Sequence, residues 1–294
     1  MIECVPNFSE GRDASKVRAI VEAIERVPGV LLLGWESDID HNRSVVTFAG
    51  EPDAVMEGAI CGAWKAAQLI DIRVHQGVHP RVGVADVIPF VPLKGSTLEE
   101  CVEIAHRTGE ELWRSYAIPV YFYEAAARIP ERRRLEKVRR PGFDGKPPDI
   151  GTIASHPEAG ASVIGARGFL IAFNINLDTR DPPIAAAIAR KIRESSGGFA
   201  HVKAMGRYLA SQDCAQVSMN LTDFEHIPLD RLYAAISEEA ERLGTRVRSS
   251  QLVGLIPRRA FEMAPDFFRR AVNFDESRIL ESQIDRMKKS ARHH

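Results

Sequence analysis

Arg73-Val74-His75-Gln76-Gly77-Val78-His79-Pro80-Arg81-Val82-Gly83, running on into Val84-Ala85-Asp86-Val87-Ile88-Pro89-Phe90-Val91, is the stretch on which the fold turns. Gly77 is a poor helix former, and Pro80 biases His79 toward extended backbone. The first part is therefore an irregular loop. The run from Val84 to Val91 is almost wholly apolar and reads as a strand buried in a core. A loop that feeds a core strand holds its side chains on a rigid base, where functional groups are often found. The imidazole of His79 has an ordinary pKa near neutrality, suited to giving or taking a proton. His75 and His79 also have the spacing of a helical zinc motif. That motif needs an unbroken helix and a glutamate beside the first histidine. Gln76 stands there instead, and Gly77 and Pro80 break the helix, so the residues read against zinc.

Working outward, Ile2 to Val5 reads as a short strand ended by Pro6, and Asn7 to Gly11 as a polar loop. Val17, Ile20, Val21 and Ile24 recur at helical spacing until Pro28-Gly29 stops them. Val30 to Trp35 and Ser44 to Phe48 are predicted strands, separated by the polar segment Glu36 to Arg43. A helix follows from about Pro52 to Leu69. After the His79 loop and its strand come a helix, Ser96 to Tyr116, and a strand, Pro119 to Tyr123. Strand-helix-strand taken twice is the ferredoxin-like plan, here with an extra helix and strand appended.

The second half repeats that plan. Phe169 to Leu177 is a strand, Pro182 to Arg193 a helix, Val202 to Tyr208 and Gln216 to Leu221 strands, Leu229 to Leu243 a helix, and Arg246 to Ile256 extended. The fold class expected is α+β, with two ferredoxin-like two-layer subdomains covering 1–166 and 167–272. A charged tail, 273–294, includes a helical segment from Glu276 to Lys289.

The 39 basic and 40 acidic residues leave a net charge of −1, which argues against bulk nucleic-acid binding. The four cysteines are too scattered to form a metal-ligand pair and read as reduced thiols of a cytoplasmic protein. Met1-Ile2-Glu3-Cys4 has no signal-peptide pattern, and no apolar run approaches a membrane span.

Two long connections interrupt the plan. Arg128 to Pro141 carries Arg128, Arg132, Arg133, Arg134, Lys137, Arg139 and Arg140, which read as a solvated face or as a basic rim for an acidic ligand. The other, Gly151-Thr152-Ile153-Ala154-Ser155-His156-Pro157-Glu158-Ala159-Gly160, is bounded by glycines and rich in small residues. Loops of this kind wrap ligands or simply connect. Polar residues recur at the ends of the apolar strands: Asn7, Asn42, Arg43, Asn174, Asn176, Asn220 and Gln251. Buried amides demand hydrogen-bond partners, and Arg43 and Arg81 suit bidentate recognition of a carboxylate. No nucleophile elbow and no phosphate-binding glycine fingerprint is present.

Several segments together carry a resemblance. They are Glu3-Cys4-Val5-Pro6-Asn7-Phe8-Ser9-Glu10-Gly11, Asp40-His41-Asn42-Arg43-Ser44-Val45, Gly77-Val78-His79-Pro80-Arg81-Val82-Gly83, Gly165-Ala166-Arg167 with Phe169 to Leu177, and Ser250 to Pro257. The chain resembles the formiminotransferase family, the glutamate formimidoyltransferase part of formiminotransferase-cyclodeaminase, over about residues 1 to 270. The resemblance implies two α/β subdomains with a folate in a tunnel between them. It implies transfer of the formimino group of N-formimino-L-glutamate to N5 of tetrahydrofolate, with release of L-glutamate, a step of histidine degradation. The family's catalytic histidine falls on His79, and its folate-binding loop on Gly151 to Gly160. There His156, Pro157 and Glu158 depart from a more apolar and aromatic vertebrate pattern.

The residues and the resemblance together give further expectations. Asn7, Asp40, Asn42, Arg43, Arg81, Asn174, Asn176, Asn220 and Gln251 are candidate substrate-binding residues. Tetrahydrofolate is a co-substrate, no metal is required, and a homodimer is expected. The product would pass to a separate cyclodeaminase. A formyl-transferring relative, acting on N-formylglutamate or 5-formyltetrahydrofolate, and a non-catalytic folate-binding protein remain the alternatives. In the transfer itself His79 would act as a general acid toward the departing glutamate nitrogen.

Overall fold

The computed structural model describes residues 1–139, 147–152 and 156–291. The chain divides into two compact units, Met1–Gly168 and Phe169–His294.

The first unit is built on a seven-stranded sheet. Strands β1 (Ile2–Cys4) and β2 (Asn7–Phe8) form one broken line, interrupted at Pro6, and both pair antiparallel with β4 (Arg43–Gly50) and β5 (Ala85–Pro92). Among the described residues strand β3 (Leu31–Asp38) pairs only with β4. Spatially this gives β5, then β1 with β2, then β4, then β3, which is the expected ferredoxin-like order. Helix α1 (Ala14–Glu25) begins where the Asp13 carboxylate accepts from Ser15 N and Lys16 N. Helix α2 (Pro52–Leu69) packs on it through small residues; a Cβ added to Gly62 would lie 2.8 Å from Ile24. Helix α3 (Leu98–Tyr116) opens with a reciprocal Thr97–Glu100 capping box.

Strand β6 (Val120–Glu124) does not lie beside β5. A strand that the pattern reading passed over, β7 (Ser162–Ala166), is inserted between them and runs parallel to both. It is buried throughout and shows no alternation, as expected of a parallel strand covered on both faces. Two further boundaries differ from expectation. Asn7–Phe8 is strand rather than loop, and β3 runs on through Glu36 and Ser37 to Asp38, so the polar segment is a tight hairpin.

After a 3₁₀ turn at Pro130–Arg133 comes the short helix α4 (Leu135–Val138). The reading of the basic run as a solvated face fails at two positions. Arg132 is buried, paired with Asp149 at 2.8 Å and stacked over the Tyr121 ring at 4.7 Å. Arg139, one residue past α4, turns inward. Arg133 and Arg134 are exposed, and Arg140 and Pro141 lie outside the described residues.

The second unit is a four-stranded antiparallel sheet in the order β11-β8-β10-β9. The strands are β8 (Ile171–Leu177), β9 (Val202–Leu209), β10 (Cys214–Leu221) and β11 (Val247–Val253), with helices α5 (Pro182–Ile192) and α6 (Leu229–Arg242) between them. That is the ferredoxin-like order without additions. Phe173, Ile175 and Leu177 join the core, so by the period of two Asn174 and Asn176 face the other way. Two short helices, α7 (Arg258–Met263) and α8 (Pro265–Arg269), and a terminal helix, α9 (Leu280–Ala291), complete the unit.

Candidate functional site

The β3–β4 hairpin turns at Ile39 to Asn42, with Asn42 at φ 46°. The buried Asn42 amide ties three segments: Oδ1 accepts from Gly11 N at 3.0 Å, and Nδ2 donates to Gln76 O at 2.9 Å. The His79 loop lies directly on this hairpin. A Cβ on Gly77 would come 2.3 Å from the His41 carbonyl oxygen, so only glycine fits there. Arg81 curls back into its own loop. Its Nη2 donates to His75 O at 2.5 Å, and its Nη1 reaches the carbonyls of Gly77 and His79 at 3.4 Å each. Its hydrogen bonds brace the loop.

The other side of the loop is zipped to residues 156–161. Ile72 N donates to Glu158 O and Val84 N to Ala159 O, both at 2.8 Å, and Ala161 N donates to Val82 O at 3.1 Å. Arg73 pairs with Glu158 at 2.9 Å. The part of the Gly151–Gly160 segment that is described thus abuts the His79 loop; Ile153, Ala154 and Ser155 lie outside the described residues.

His79 Nδ1 is 2.7 Å from the Pro80 carbonyl oxygen. A carbonyl only accepts, so Nδ1 carries the hydrogen, and in the neutral ring Nε2 holds a lone pair. Burial, with the positive charges of Arg43 and Arg139, pushes the imidazole down to about 2. It is therefore neutral at physiological pH. His75 is fixed in the opposite sense: its Nε2 donates to Asn42 O at 2.9 Å, and among the described residues its buried Nδ1 has no hydrogen-bond partner.

Beneath His79 lies a buried charge cluster. Asp86, fully buried on β5, accepts from Arg43 Nη1 and Arg139 Nη2 on the same oxygen, both at 2.6 Å, and from Val82 N at 2.7 Å on the other. Burial alone would raise its carboxyl; the two guanidiniums and the Val82 N–H outweigh that and hold it at about 2. Arg43 also donates through Nε to Asn7 Oδ1 at 3.0 Å, and burial draws it down to about 10, still charged at neutral pH.

His41 is a neighbour that the residue reading did not single out. It is buried, its Nδ1 lies 3.0 Å from Asp38 Oδ1, and its ring centroid is 6.1 Å from that of His79. It lies in the Asp40–Val45 segment that carries the resemblance, but its residue type and spacing alone do not mark it. Asp86 had one: a lone carboxylate in an apolar strand needs a buried partner. Arg139 was hidden among six other basic residues.

Asn7, Asn42, Arg43 and Arg81 thus gather around the His79 loop, and the half-buried Asp40 accepts from Val78 N at 3.4 Å through its carbonyl. Asn174, Asn176, Asn220 and Gln251 belong to the second unit. Register places them on one face of its sheet, with Gln251 opposite Asn174 and Asn220 opposite Ala172. Asn176 is engaged with Gln212, Ser249 and Gln216. Among the described residues no group of three or more His, Cys, Asp or Glu is placed to hold a metal ion, and no helix is long and apolar enough to cross a membrane.

The model of the formiminotransferase domain, N-terminal subdomain, matches residues 1–167, and that of the formiminotransferase domain matches residues 172–291. The chain belongs to the formiminotransferase family. It is accordingly a transferase. It is 41% identical to a glutamate formimidoyltransferase of Streptococcus pyogenes serotype M1, covering 97% of this chain and 98% of that one. A glutamate formimidoyltransferase of Thermoplasma acidophilum is 40% identical over the same shares. The formimidoyltransferase-cyclodeaminase of Gallus gallus is 43% identical over 91% of this chain but only 52% of its own length, so the likeness is to about half of that fusion protein.

Proposed function

We propose that this transferase moves the formimino group of N-formimino-L-glutamate to N5 of tetrahydrofolate, with the neutral imidazole of His79 carrying the proton. The reaction forms a bond from N5 to the formimino carbon and breaks the bond from that carbon to the glutamate nitrogen. One proton must leave N5 and one must arrive on the departing nitrogen.

The lone pair on His79 Nε2 carries this reading. It follows from the Nδ1 hydrogen bond to Pro80 O and from the low proton affinity of the ring. An imidazole that rests neutral has no proton to give at the outset. His79 therefore acts first as a base, accepting the N5 proton at Nε2 once a substrate carboxylate offsets the Arg43 and Arg139 charges and raises the ring's proton affinity. It then acts as an acid, returning that proton to the glutamate nitrogen. This refines the general-acid role expected from sequence. Such proton handling contributes typically 10²- to 10⁴-fold. The tight seating of the loop on Gly77 and Arg81 fixes where the ring stands, which favours a bimolecular reaction confined to one geometry.

The residues suit a folate co-substrate in their donor set. Among the described residues His79 Nε2 is left as an acceptor for N5–H, and the Nδ1 of His75, without a partner among them, is a second buried acceptor on the same loop. The described part of the Gly151–Gly160 loop lies against them. A homodimeric assembly and hand-over of the product to a separate deaminase belong to the same proposal. Turnover of N-formimino-L-glutamate against N-formyl-L-glutamate, each with tetrahydrofolate, tests the reaction. Transfer from the formyl donor alone would reassign the activity.

A further inference from the structure

Among the described residues the Asp86 cluster does not balance. Arg43 and Arg139 both donate to one carboxylate, which leaves one positive charge over among these groups. Among the described residues no second carboxylate meets either guanidinium, and the Arg139 Nε–H is buried without an acceptor. Arg43 Nη2 and Arg139 Nη1 make no hydrogen bond among these residues either. A buried, uncompensated cation is costly, and a bound anion would offset that cost. Two adjacent guanidiniums with N–H groups to spare match a planar anion with two oxygens, a carboxylate. Asp86 accepts from Val82 N, three residues after His79, and Arg43 lies two residues after His41, whose ring centroid is 6.1 Å from that of His79, so an anion seated there lies close to the His79 ring.

Resting on the function proposed above, we infer that Arg139, held with Arg43 on Asp86, is a specificity-determining residue that receives the α-carboxylate of the formimino donor. That carboxylate is borne by the carbon attached to the departing nitrogen, within reach of any group beside His79. The donor's γ-carboxylate is two carbons further away. The glutamate carboxylates of the folate lie at the far end of that molecule from N5. The seat therefore selects an N-formimino amino acid over a simple N-formimino amine.

The test pairs N-formimino-L-glutamate with N-formimino-4-aminobutyrate, the same donor without its α-carboxylate. Turnover with tetrahydrofolate is measured for wild type, R139Q and R139K. Wild type is expected to favour the glutamate donor by about 10- to 100-fold in kcat/KM, chiefly through KM, the range for a hydrogen bond to a charged group. R139Q is expected to shrink that ratio to within about threefold, and R139K to keep only part of it, because Lys retains the charge but not the planar fork. R139Q leaves Asp86 paired with Arg43, so the core retains a neutral pair. Equal use of the two donors by wild type overturns the inference without recourse to a variant, and so does a ratio undiminished in R139Q. Absence of transfer from N-formimino-L-glutamate by wild type would instead overturn the function on which it rests.

Discussion

The imidazoles of His41 and His79 stand 6.1 Å apart, centroid to centroid, and His41 is itself held by Asp38. His41 comes from the β3–β4 hairpin and His79 from the loop before β5, so the two rings lock two segments distant in sequence. We predict that His41→Ala, by freeing one side of the His79 ring, lowers kcat about tenfold while the fold holds, since misplacing a catalytic group by a fraction of an ångström is expensive. His41→Asn should lose less, because its amide still reaches Asp38. Steady-state kinetics beside a thermal melt check this; an unchanged kcat in His41→Ala would remove His41 from the account.

Gly77→Ala tests the seating of the loop. The added Cβ has only 2.3 Å to the His41 carbonyl, a backbone atom that cannot step aside. The loop must lift, taking His79 with it. The expected outcome is a kcat at least tenfold lower with the melting temperature of the core little changed, a balance that follows from the sensitivity of reaction to geometry.

The state of His79 is open to direct inspection. Nitrogen NMR of the imidazole is expected to show a neutral ring with hydrogen on Nδ1 at pH 6. Adding L-glutamate, which brings a carboxylate to the Arg43–Arg139 seat, should raise the ring's proton affinity, because part of its depression comes from those two charges. An imidazolium at pH 6 in the free enzyme would contradict the base-first order.

The same shift makes a stability prediction. The folded value of His79, about 2, lies below its ordinary 6.5, so between those limits the unfolded chain binds the extra proton. Stability is fully present above 6.5 and is lost as pH falls. The loss from this group is about 2 kcal/mol at pH 5. His79→Asn removes that component, so wild type should lose more stability than the variant between pH 7 and pH 5 by urea titration. His75, also lowered by burial, contributes equally to both proteins, and Asp86 enters only below 3.8.

Asp86→Asn leaves the buried Arg43 and the largely covered Arg139 with no counter-charge among the described residues. A cost of about 3–5 kcal/mol is expected, as for breaking a buried pair from one side. Adding Arg139→Gln to it should recover part of that loss. Chemical denaturation of both variants measures the difference.

Most of this architecture can be read from the residues because it rests on local rules. The capped helices α1 and α3, the run from Pro52 to Leu69 and the buried strand before Val91 announce themselves by period and punctuation. Strand β7 does not, because five buried residues after a glycine-rich loop resemble a connector, and its role depends on β5 and β6 on either side. The site divides in the same way. His79 stands out through Gly77 and Pro80, and Arg43 through its place at the head of a strand. The inward turn of Arg139 depends on Asp86, 53 residues earlier, and no local pattern carries that pairing. Asn42 illustrates the converse: its type suggests a ligand contact, yet its amide is engaged by Gly11 and Gln76.

The central claim is that His79 carries the proton between N5 and the departing nitrogen. Turnover of N-formimino-L-glutamate with tetrahydrofolate by wild type and His79→Ala, alongside folate binding by both, tests it most directly. The account predicts kcat lower by about 10²- to 10⁴-fold in the variant with binding of tetrahydrofolate retained; a variant that binds folate and turns over at the wild-type rate would contradict it.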